Sequence, residues 1–428
     1  MKNKKETLLI LTILITICII IFNRDKLYEA KYTEPKDTLL AITINGEIST
    51  TFPTTKYYET SVECTTGTGK VEWNGTKWVL TTNGITKGST KCNATFITKV
   101  PTFAETILAN NKVKAPITTP GATISTASEA LLASTEDDYG TSYYFRGAVT
   151  NNYVEFANKC WRIVRVGGDG SVKLILHNDN PTGAANPCDA ANNSASAAFA
   201  HYNGSTYTSR FNENYDDNAY IGFKYGTPGS SKYETTHANT NKSTILTNLE
   251  TWYTNNLKTY ESVIDDTVWC NDKTNVTDTS YDPWSITPNG LGYAKNVTYY
   301  GATKRLVGTS GSAGGTGPSL KCNGELSKIN SKVGLITADE LAFAGYAYNI
   351  GNTTTYLQEN ATNTYWWSLS PYNFLGGYAG VWGVNGSAGY FDNYNVRGTY
   401  GVRPLISLKS TTNVTGEGTS SAPYIISM

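Results

Sequence analysis

Six cysteines limit the ways in which this chain can fold. They are Cys64, Cys92, Cys160, Cys188, Cys270 and Cys322. An even set of this kind is typical of an exported protein that forms disulfides, and sequence alone allows many connectivities. Proximity along the chain favours the pairs Cys64–Cys92, Cys160–Cys188 and Cys270–Cys322. The alternative is a set of free, buried thiols. A zinc site is not expected, because the chain has only 3 histidines and no Cys-x-x-Cys pair.

The N-terminus carries a membrane-targeting signal. Lysines near the start precede an apolar run over residues 8–22, which contains the remaining cysteine, Cys18. The length of the run fits a signal-peptide core or a short spanning helix. No small-residue cleavage motif follows, so the sequence favours an uncleaved signal anchor over residues 1–26. The positive flank predicts a single-pass protein of the cell membrane whose C-terminal part is extracellular.

The composition favours β-structure and excludes some partners. Formal net charge is +0 and only 16% of residues are charged, so no nucleic-acid partner is expected. Aromatic residues make up 12% of the chain, with 30 tyrosines. Aromatic side chains are enriched in strands.

Local patterns divide the chain into segments. An Asn74-Gly75 turn between tryptophan-containing strands predicts a β-hairpin. Residues 114–128 are rich in Pro, Thr, Ser and Ala, which is typical of a linker. The expected segments are a signal anchor (1–26), a small all-β sandwich-like spacer domain (40–100), a linker (101–135), a ligand-binding domain (136–410) and a C-terminal tail (411–428).

Two helices are predicted within an otherwise strand-rich C-terminal domain. Apolar residues recur at helical spacing over 243–264, and Ser243 is available as the N-cap. Thr337 and Glu340 have the spacing of a capping box at the start of a second, shorter helix. Strands, a few helices and long loops together predict an α+β fold.

The segment 365–408 is the strongest functional signal. It begins with a Trp pair, ends with GVRPLISL, and between them consists mostly of Tyr, Asn, Gly, Ser, Asp, Phe and Trp. Tyr and Trp give large contact areas at low entropic cost, while Ser, Gly and Asn give adaptable hydrogen bonds. The segment therefore predicts binding of a ligand and not catalysis.

Several stretches resemble a domain of uncharacterised function in surface proteins of gut bacteria. They are DDYGTSYYFRGAVTNNYVEFANKCWRIVRV, YIGFKYGTPGSSKYETTHANTN, VWCNDKT, VGLITADELAFAG, YWWSLSP and GVRPLISL. The resemblance covers roughly residues 130–428. It implies a C-type-lectin-like fold, in the version shared with formylglycine-generating enzymes. The upstream unit around Cys64 and Cys92 resembles a small β domain often placed before it.

The same fold carries the variable proteins of diversity-generating retroelements, in which adenine-directed mutagenesis rewrites codons near the C-terminus. Residues 372–399 have the composition that such mutagenesis leaves. The resemblance implies framework roles for Trp366, Trp367, Gly401, Arg403 and Pro404. The implied variable, ligand-contacting residues are Tyr372, Asn373, Phe374, Tyr378, Trp382, Asn385, Tyr390, Asp392, Asn393, Tyr394, Asn395 and Arg397.

Other interpretations of this segment stay open. Trp382 and Phe391 could be strand residues of the core, with Tyr390 an ordinary cross-strand neighbour. An enzyme on the same fold would need titratable groups, and Asp392, Arg397 and Arg403 are the nearby ones. A structural surface protein without a specific ligand is the third alternative.

Catalytic and metal motifs are missing from the sequence. The related enzymes use reactive cysteines near the C-terminal end of the fold, whereas no cysteine follows Cys322 here. The triplet that binds calcium in true lectins is interrupted by Cys270. We therefore expect no catalytic residue, metal or cofactor. The expected partners are the membrane, through residues 8–22, and an extracellular protein or glycan.

Overall fold

The computed structural model describes residues 38–86 and 88–428. The chain divides into two compact units, which meet in sequence between Val100 and Pro101. The predicted signal anchor lies outside the described residues. Among the helices within the described ranges, none has the length and apolar character that crossing a membrane requires.

The first unit is built from strands. They are β1 (Thr38–Ile44), β2 (Glu47–Ser49), β3 (Tyr58–Cys64), β4 (Thr68–Trp73), β5 (Trp78–Asn83) and β6 (Thr90–Thr98). One sheet has the order β2-β1-β6-β3, and β4 pairs with β5. The predicted hairpin is confirmed, since Trp73 lies opposite Trp78 and Asn74 Oδ1 accepts hydrogen bonds from the turn.

A small core holds the first unit together. Alternation along β6 places Ala94 and Phe96 on the buried face, where Trp78 packs against Phe96 with ring centroids 5.2 Å apart. The disulfide Cys64–Cys92 joins directly paired positions of β3 and β6. The cross-link therefore fixes the register of two strands that are distant in sequence.

The second unit mixes strands with short helices. Its helices are α1 (Phe103–Asn110), α2 (Tyr233–His237), α3 (Thr244–Asn256), α4 (Gly301–Leu306) and α5 (Ala338–Ala344), with 3-10 turns at Ala190–Asn192, Asn218–Ile221, Lys258–Tyr260 and Glu325–Ser327. Its strands are β7 (Ala130–Asp137), β8 (Gly140–Gly147), β9 (Tyr153–Phe156), β10 (Lys159–Val166), β11 (Val172–Asn178), β12 (Thr208–Ser209), β13 (Lys224–Tyr225), β14 (Asn241–Lys242), β15 (Thr267–Cys270), β16 (Thr298–Tyr299), β17 (Lys328–Ser331), β18 (Trp366–Phe374), β19 (Ala379–Val384), β20 (Phe391–Asn395), β21 (Tyr400–Gly401), β22 (Leu405–Leu408), β23 (Val414–Thr415) and β24 (Tyr424–Ile426).

Two sheets dominate this unit. The larger has the order β22-β11-β10-β9-β24-β23, with β8 joining β10 and β7 pairing with β8. The smaller has the order β12-β21-β18-β19-β20, with β16 beside β18. Both sheets and α3 contribute to one apolar core, which contains Trp161, Trp252 and Trp366. The mixed α+β class predicted from sequence is confirmed.

The predicted helix caps are present. Ser243 accepts a hydrogen bond from Leu246 N at the start of α3, and Thr337 forms a reciprocal capping box with Glu340 at the start of α5. The helix predicted over 243–264 is shorter, because the chain tightens into a 3-10 turn at Lys258–Tyr260.

Two segment boundaries expected from composition are wrong. Residues 101–135 are not a linker, since α1 buries Phe103 and Ile107 in the core and β7 begins at Ala130. Residues 411–428 are not a free tail, since β24 pairs in parallel with β9 and Tyr424 is buried. The second unit therefore runs from Pro101 to Met428.

The cysteine pairs favoured by sequence proximity are confirmed. Cys160 at the start of β10 bonds to Cys188, and Cys270 at the end of β15 bonds to Cys322. Together with Cys64–Cys92, these bonds use all six cysteines of the described ranges. Each bond attaches a strand to another strand or to a loop.

Candidate ligand-binding surface

The predicted ligand contacts separate into buried and accessible residues. The buried ones are Tyr372, Asn373, Phe374, Trp382 and Asn385. The side chains that solvent reaches are those of Tyr378, Tyr390, Asp392, Asn393, Tyr394, Asn395 and Arg397. The expectation that all of these residues form one surface is therefore wrong for the buried group.

The buried aromatic residues belong to the core of the smaller sheet. β18 and β19 are buried along their whole lengths, because both are internal strands. The Trp382 ring lies 4.4 Å from that of Tyr372 and 4.8 Å from that of Phe391, measured between centroids. The alternative interpretation, in which Trp382 and Phe391 are core residues, is confirmed.

One buried asparagine closes a turn, and the other packs against a glycine. Asn385 Oδ1 accepts hydrogen bonds from Ser387 N at 3.1 Å and Ala388 N at 3.0 Å, which closes the turn between β19 and β20. Asn373 lies opposite Gly380, where an added Cβ would come within 2.6 Å of Asn373 Oδ1. Only glycine at position 380 leaves room for that amide.

A cluster of accessible tyrosines lies beside the end of β20. The centroids of Tyr365 and Tyr394 are 5.0 Å apart, and Tyr400 is 5.3 Å from each of them. Tyr365 is 36% exposed, and the other two are half-buried. Asp392 lies two residues before Tyr394 and therefore on the same side of β20. We call Tyr365, Asp392, Tyr394 and Tyr400 the tyrosine face.

Buried residues hold the tyrosine face in place. The Trp367 ring packs 4.8 Å from that of Tyr400, and its indole N–H donates to Ser209 O at 2.8 Å. Gly383 lies opposite Asp392 in the register of β19 and β20. A Cβ at position 383 would approach Tyr394 Cδ2 to 2.7 Å, so glycine is what allows the Tyr394 ring to lie over the strand. Strands β20 and β21 thus carry Tyr394 and Tyr400, and Tyr365 directly precedes β18.

Asp392 is an unusual carboxylate in its surroundings. It accepts a hydrogen bond from Asn393 N at 2.6 Å, and it has no ion-pair partner among the described residues. Burial raises the pKa of Asp392, against the opposing effect of that hydrogen bond. The pKa of Tyr394 is raised by its burial and by the negative charge of Asp392. The tyrosine face therefore presents π-electrons and an uncompensated negative charge.

The nearest cation along the chain is engaged elsewhere. The guanidinium of Arg397 lies over the ring of Tyr215, 4.1 Å from its centroid. Its backbone N–H donates to Asn395 Oδ1 at 3.0 Å, so the two residues form the turn after β20. Arg397 is exposed, but it extends the aromatic surface towards Tyr215 and not towards Asp392.

Sequence reasoning missed Tyr365 and Tyr400 as surface residues. Both border the segments to which framework roles were assigned, one before the Trp pair and one before the terminal GVRP. The framework side chains Trp366, Trp367 and Arg403 are fully buried. The available signal was alternation, because a residue next to a buried strand position points to the other side.

A second polar site lies beside the disulfide Cys270–Cys322. The cleft there is lined by ion pairs that join Arg165 to Asp137 at 2.9 Å and Arg305 to Asp272 at 2.6 Å. Glu340 accepts from Arg165 and from Lys173, at 3.0 and 3.1 Å. Arg165, Lys173 and Arg305 are thus each paired with a carboxylate of the protein. These ion pairs brace the fold, and the exposed Lys321 also lines the cleft.

Neither a metal site nor a similar protein of known function identifies what the tyrosine face binds. Within the described ranges, no group of three or more His, Cys, Asp or Glu side chains is arranged to hold a metal ion. Comparison with protein families, curated proteins and solved structures finds no match to this chain.

Proposed function

We propose that this chain is a membrane-anchored, extracellular bacterial protein of receptor or adhesin type, and that the tyrosine face contacts its ligand. The observation that carries the proposal is the ring contact among Tyr365, Tyr394 and Tyr400, with Asp392 on the same side of β20 as Tyr394. Such clusters of accessible Tyr are typical of binding surfaces. The ligand is an extracellular protein or glycan.

The proposed fold of the second unit is C-type-lectin-like. In support, strands from its beginning and its end share the larger sheet, where β24 pairs with β9 and β22 pairs with β11. The strands of residues 366–401, β18 to β21, come before β22 in the chain and lie in the separate, smaller sheet. In this arrangement the larger sheet, which contains both ends of the unit, would support a variable binding region in the smaller sheet.

Anchoring and diversification are further parts of the proposal. Residues 8–22 would hold the protein in the membrane, and the first unit would be a spacer. Deep sequencing of codons 365–405 in a population tests diversification. We expect adenine-directed substitutions at accessible positions such as Asn393 and Asn395, with Trp366 and Trp367 fixed. An invariant segment without a neighbouring repeat would remove diversification and leave a binder of fixed specificity.

Binding itself is tested with a triple variant. Tyr365→Ala, Tyr394→Ala and Tyr400→Ala together should weaken binding of the purified extracellular part to cells or to glycan and protein arrays by at least about tenfold. The matched control is Tyr139→Ala, because Tyr139 is 61% exposed and follows β7 in the other sheet. If the triple variant binds as well as the control, a structural surface protein becomes the better interpretation.

We favour a binding protein over the enzyme alternative. Arg403 is fully buried and donates to the carbonyl of Leu176 at 2.8 Å, while Arg397 stacks on Tyr215. The titratable groups that an enzyme would need beside Asp392 are therefore directed elsewhere. A product-forming activity that Asp392→Asn abolishes would favour the enzyme.

A further inference from the structure

The starting observation is a half-buried carboxylate without a counter-charge. Asp392 lies beside Tyr394 on the tyrosine face and has no ion-pair partner among the described residues. Desolvating a carboxylate is unfavourable unless a partner compensates it. Two fully or nearly fully buried carboxylates of this chain are compensated, Glu129 by Arg146 and Asp339 by Arg305. A charge left unpaired at an accessible aromatic surface is free to meet an incoming cation.

Elsewhere the chain contains a tyrosine and a carboxylate that already bind a guanidinium. The guanidinium of Arg162 lies 3.7 Å from the centroid of the Tyr153 ring. The same guanidinium donates to Glu359 Oε2 at 3.0 Å, and the Tyr153 hydroxyl donates to that oxygen at 3.0 Å. Tyrosine, carboxylate and guanidinium thus form one compact group. The tyrosine face has the first two components and lacks the third.

We propose that the tyrosine face takes an arginine side chain of a protein partner, with the guanidinium between Asp392 and the tyrosine rings. This inference rests on the proposed binding function and names the chemistry of its ligand. Arginine fits better than lysine, because a planar guanidinium stacks on an aromatic ring while donating two hydrogen bonds to a carboxylate. A neutral glycan would stack on the rings equally well, but it would leave Asp392 without a counter-charge.

The test compares arginine with its neutral isostere. Biotinylated peptides that differ only in one central residue, arginine or citrulline, are displayed densely on a surface to raise the effective concentration. Retention of the purified extracellular part is then measured at low and high salt. We expect at least about tenfold stronger retention on the arginine peptide, as a charge-assisted hydrogen bond with a cation–π contact would give. The difference should shrink as salt increases.

The variant Asp392→Asn separates recognition from folding. It removes an uncompensated charge, so its midpoint of thermal unfolding should stay the same or rise, while the preference for arginine is lost. Glu234→Gln is the control, because it removes the same charge from an exposed position in α2 that is no part of the tyrosine face, and it should leave the preference unchanged. A structural role for Asp392 predicts the opposite pair of results, namely lower stability and unchanged preference.

The outcomes distinguish this inference from the function on which it rests. Equal retention on arginine and citrulline peptides, or full retention by Asp392→Asn, overturns the arginine inference. If the triple tyrosine variant still loses binding to cells or glycan arrays in that case, the proposed binding function stands and its ligand is neutral. If neither the charge nor the rings matter to any ligand, both proposals fail.

Discussion

The carboxylate of Glu129 accepts a hydrogen bond from the guanidinium of Arg146 at 2.9 Å, and solvent reaches neither side chain. Glu129 also accepts from Ile117 N at 2.8 Å and from the Thr118 hydroxyl at 2.8 Å. Arg146 donates to the carbonyl of Phe343 at the end of α5. One buried pair thus joins the segment before β7, the edge of the larger sheet and a helix.

Removing one member of this pair should strongly destabilise the second unit. Arg146→Met leaves the Glu129 carboxylate buried without its counter-charge, which costs about 3–5 kcal/mol in the free energy of unfolding. Adding Glu129→Gln to that variant should recover part of the loss, because the second change removes the unpaired charge. Urea denaturation of both variants measures the two differences.

An exposed ion pair provides the comparison. Lys258 and Glu261 lie 2.9 Å apart on the surface, with side chains that are 62% and 35% exposed. Lys258→Met should leave the urea midpoint nearly unchanged, since solvent screens such pairs. If Lys258→Met and Arg146→Met lower the free energy of unfolding by similar amounts, burial is not the reason why the Glu129–Arg146 pair matters.

The domain boundaries predict which fragments fold. A fragment of residues 101–428 should unfold cooperatively, whereas one of residues 136–410 should not. The shorter fragment loses α1, most of β7 and the whole of β24, and with them Phe103, Ile107, Leu132 and Tyr424 of the core. Amide exchange of both fragments, with disulfides intact, is the measurement. Cooperative unfolding of 136–410 would restore the linker and tail interpretations.

Local signals in the sequence predicted local structure well. Helix caps depend on residues three positions apart, so Ser243, Thr337 and Glu340 are recognisable without the fold. The cysteine pairs are joined over sequence separations of 28 to 52 residues, and here the pairs favoured by proximity are the ones that form. The α+β class follows from the same local patterns.

Long-range packing could not be predicted in the same way. The Pro- and Thr-rich stretch before β7 has the composition of a linker, but Glu129 and Arg146 fix it to the sheet. Composition likewise grouped Tyr372 with Tyr394, although only the second is accessible. Both residues lie in strands, and the neighbours of each strand decide which side of it is covered.

Acid should weaken the fold through Glu340. Burial alone would raise the pKa of Glu340, but Lys173, Arg165 and the backbone N–H of Thr337 lower it to about 2. The ordinary value is 4.5, so this carboxylate stabilises the fold above that pH. Its contribution, about 3 kcal/mol at neutral pH, should be lost as the pH falls from 4.5 towards 2. The free energy of unfolding measured across this range tests the slope.

The variant Glu340→Gln assigns that slope to one residue. Its deficit in stability relative to the unmodified protein should be largest at neutral pH and should shrink towards pH 2, because protonation of Glu340 then removes the charge that Gln lacks. Glu234→Gln, at an exposed position in α2, is the control and should follow the unmodified protein throughout. A deficit for Glu340→Gln that stays constant with pH would contradict this assignment.

A single methyl group should test whether the tyrosine face binds the ligand. Gly383→Ala places a Cβ 2.7 Å from Tyr394 Cδ2 and 2.9 Å from the carbonyl oxygen of Trp366, so the Tyr394 ring or the strand must shift. We expect binding to fall by about tenfold, with a loss of about 1–3 kcal/mol in stability from the added volume. Gly377→Ala is the matched control, since nothing lies within 4 Å of a Cβ there. Titration of the immobilised ligand with both variants gives the comparison. If the ring is displaced in Gly383→Ala and the affinity for the ligand is unchanged, the geometry of Tyr394 and Asp392 does not matter to binding. The ligand would then contact another surface.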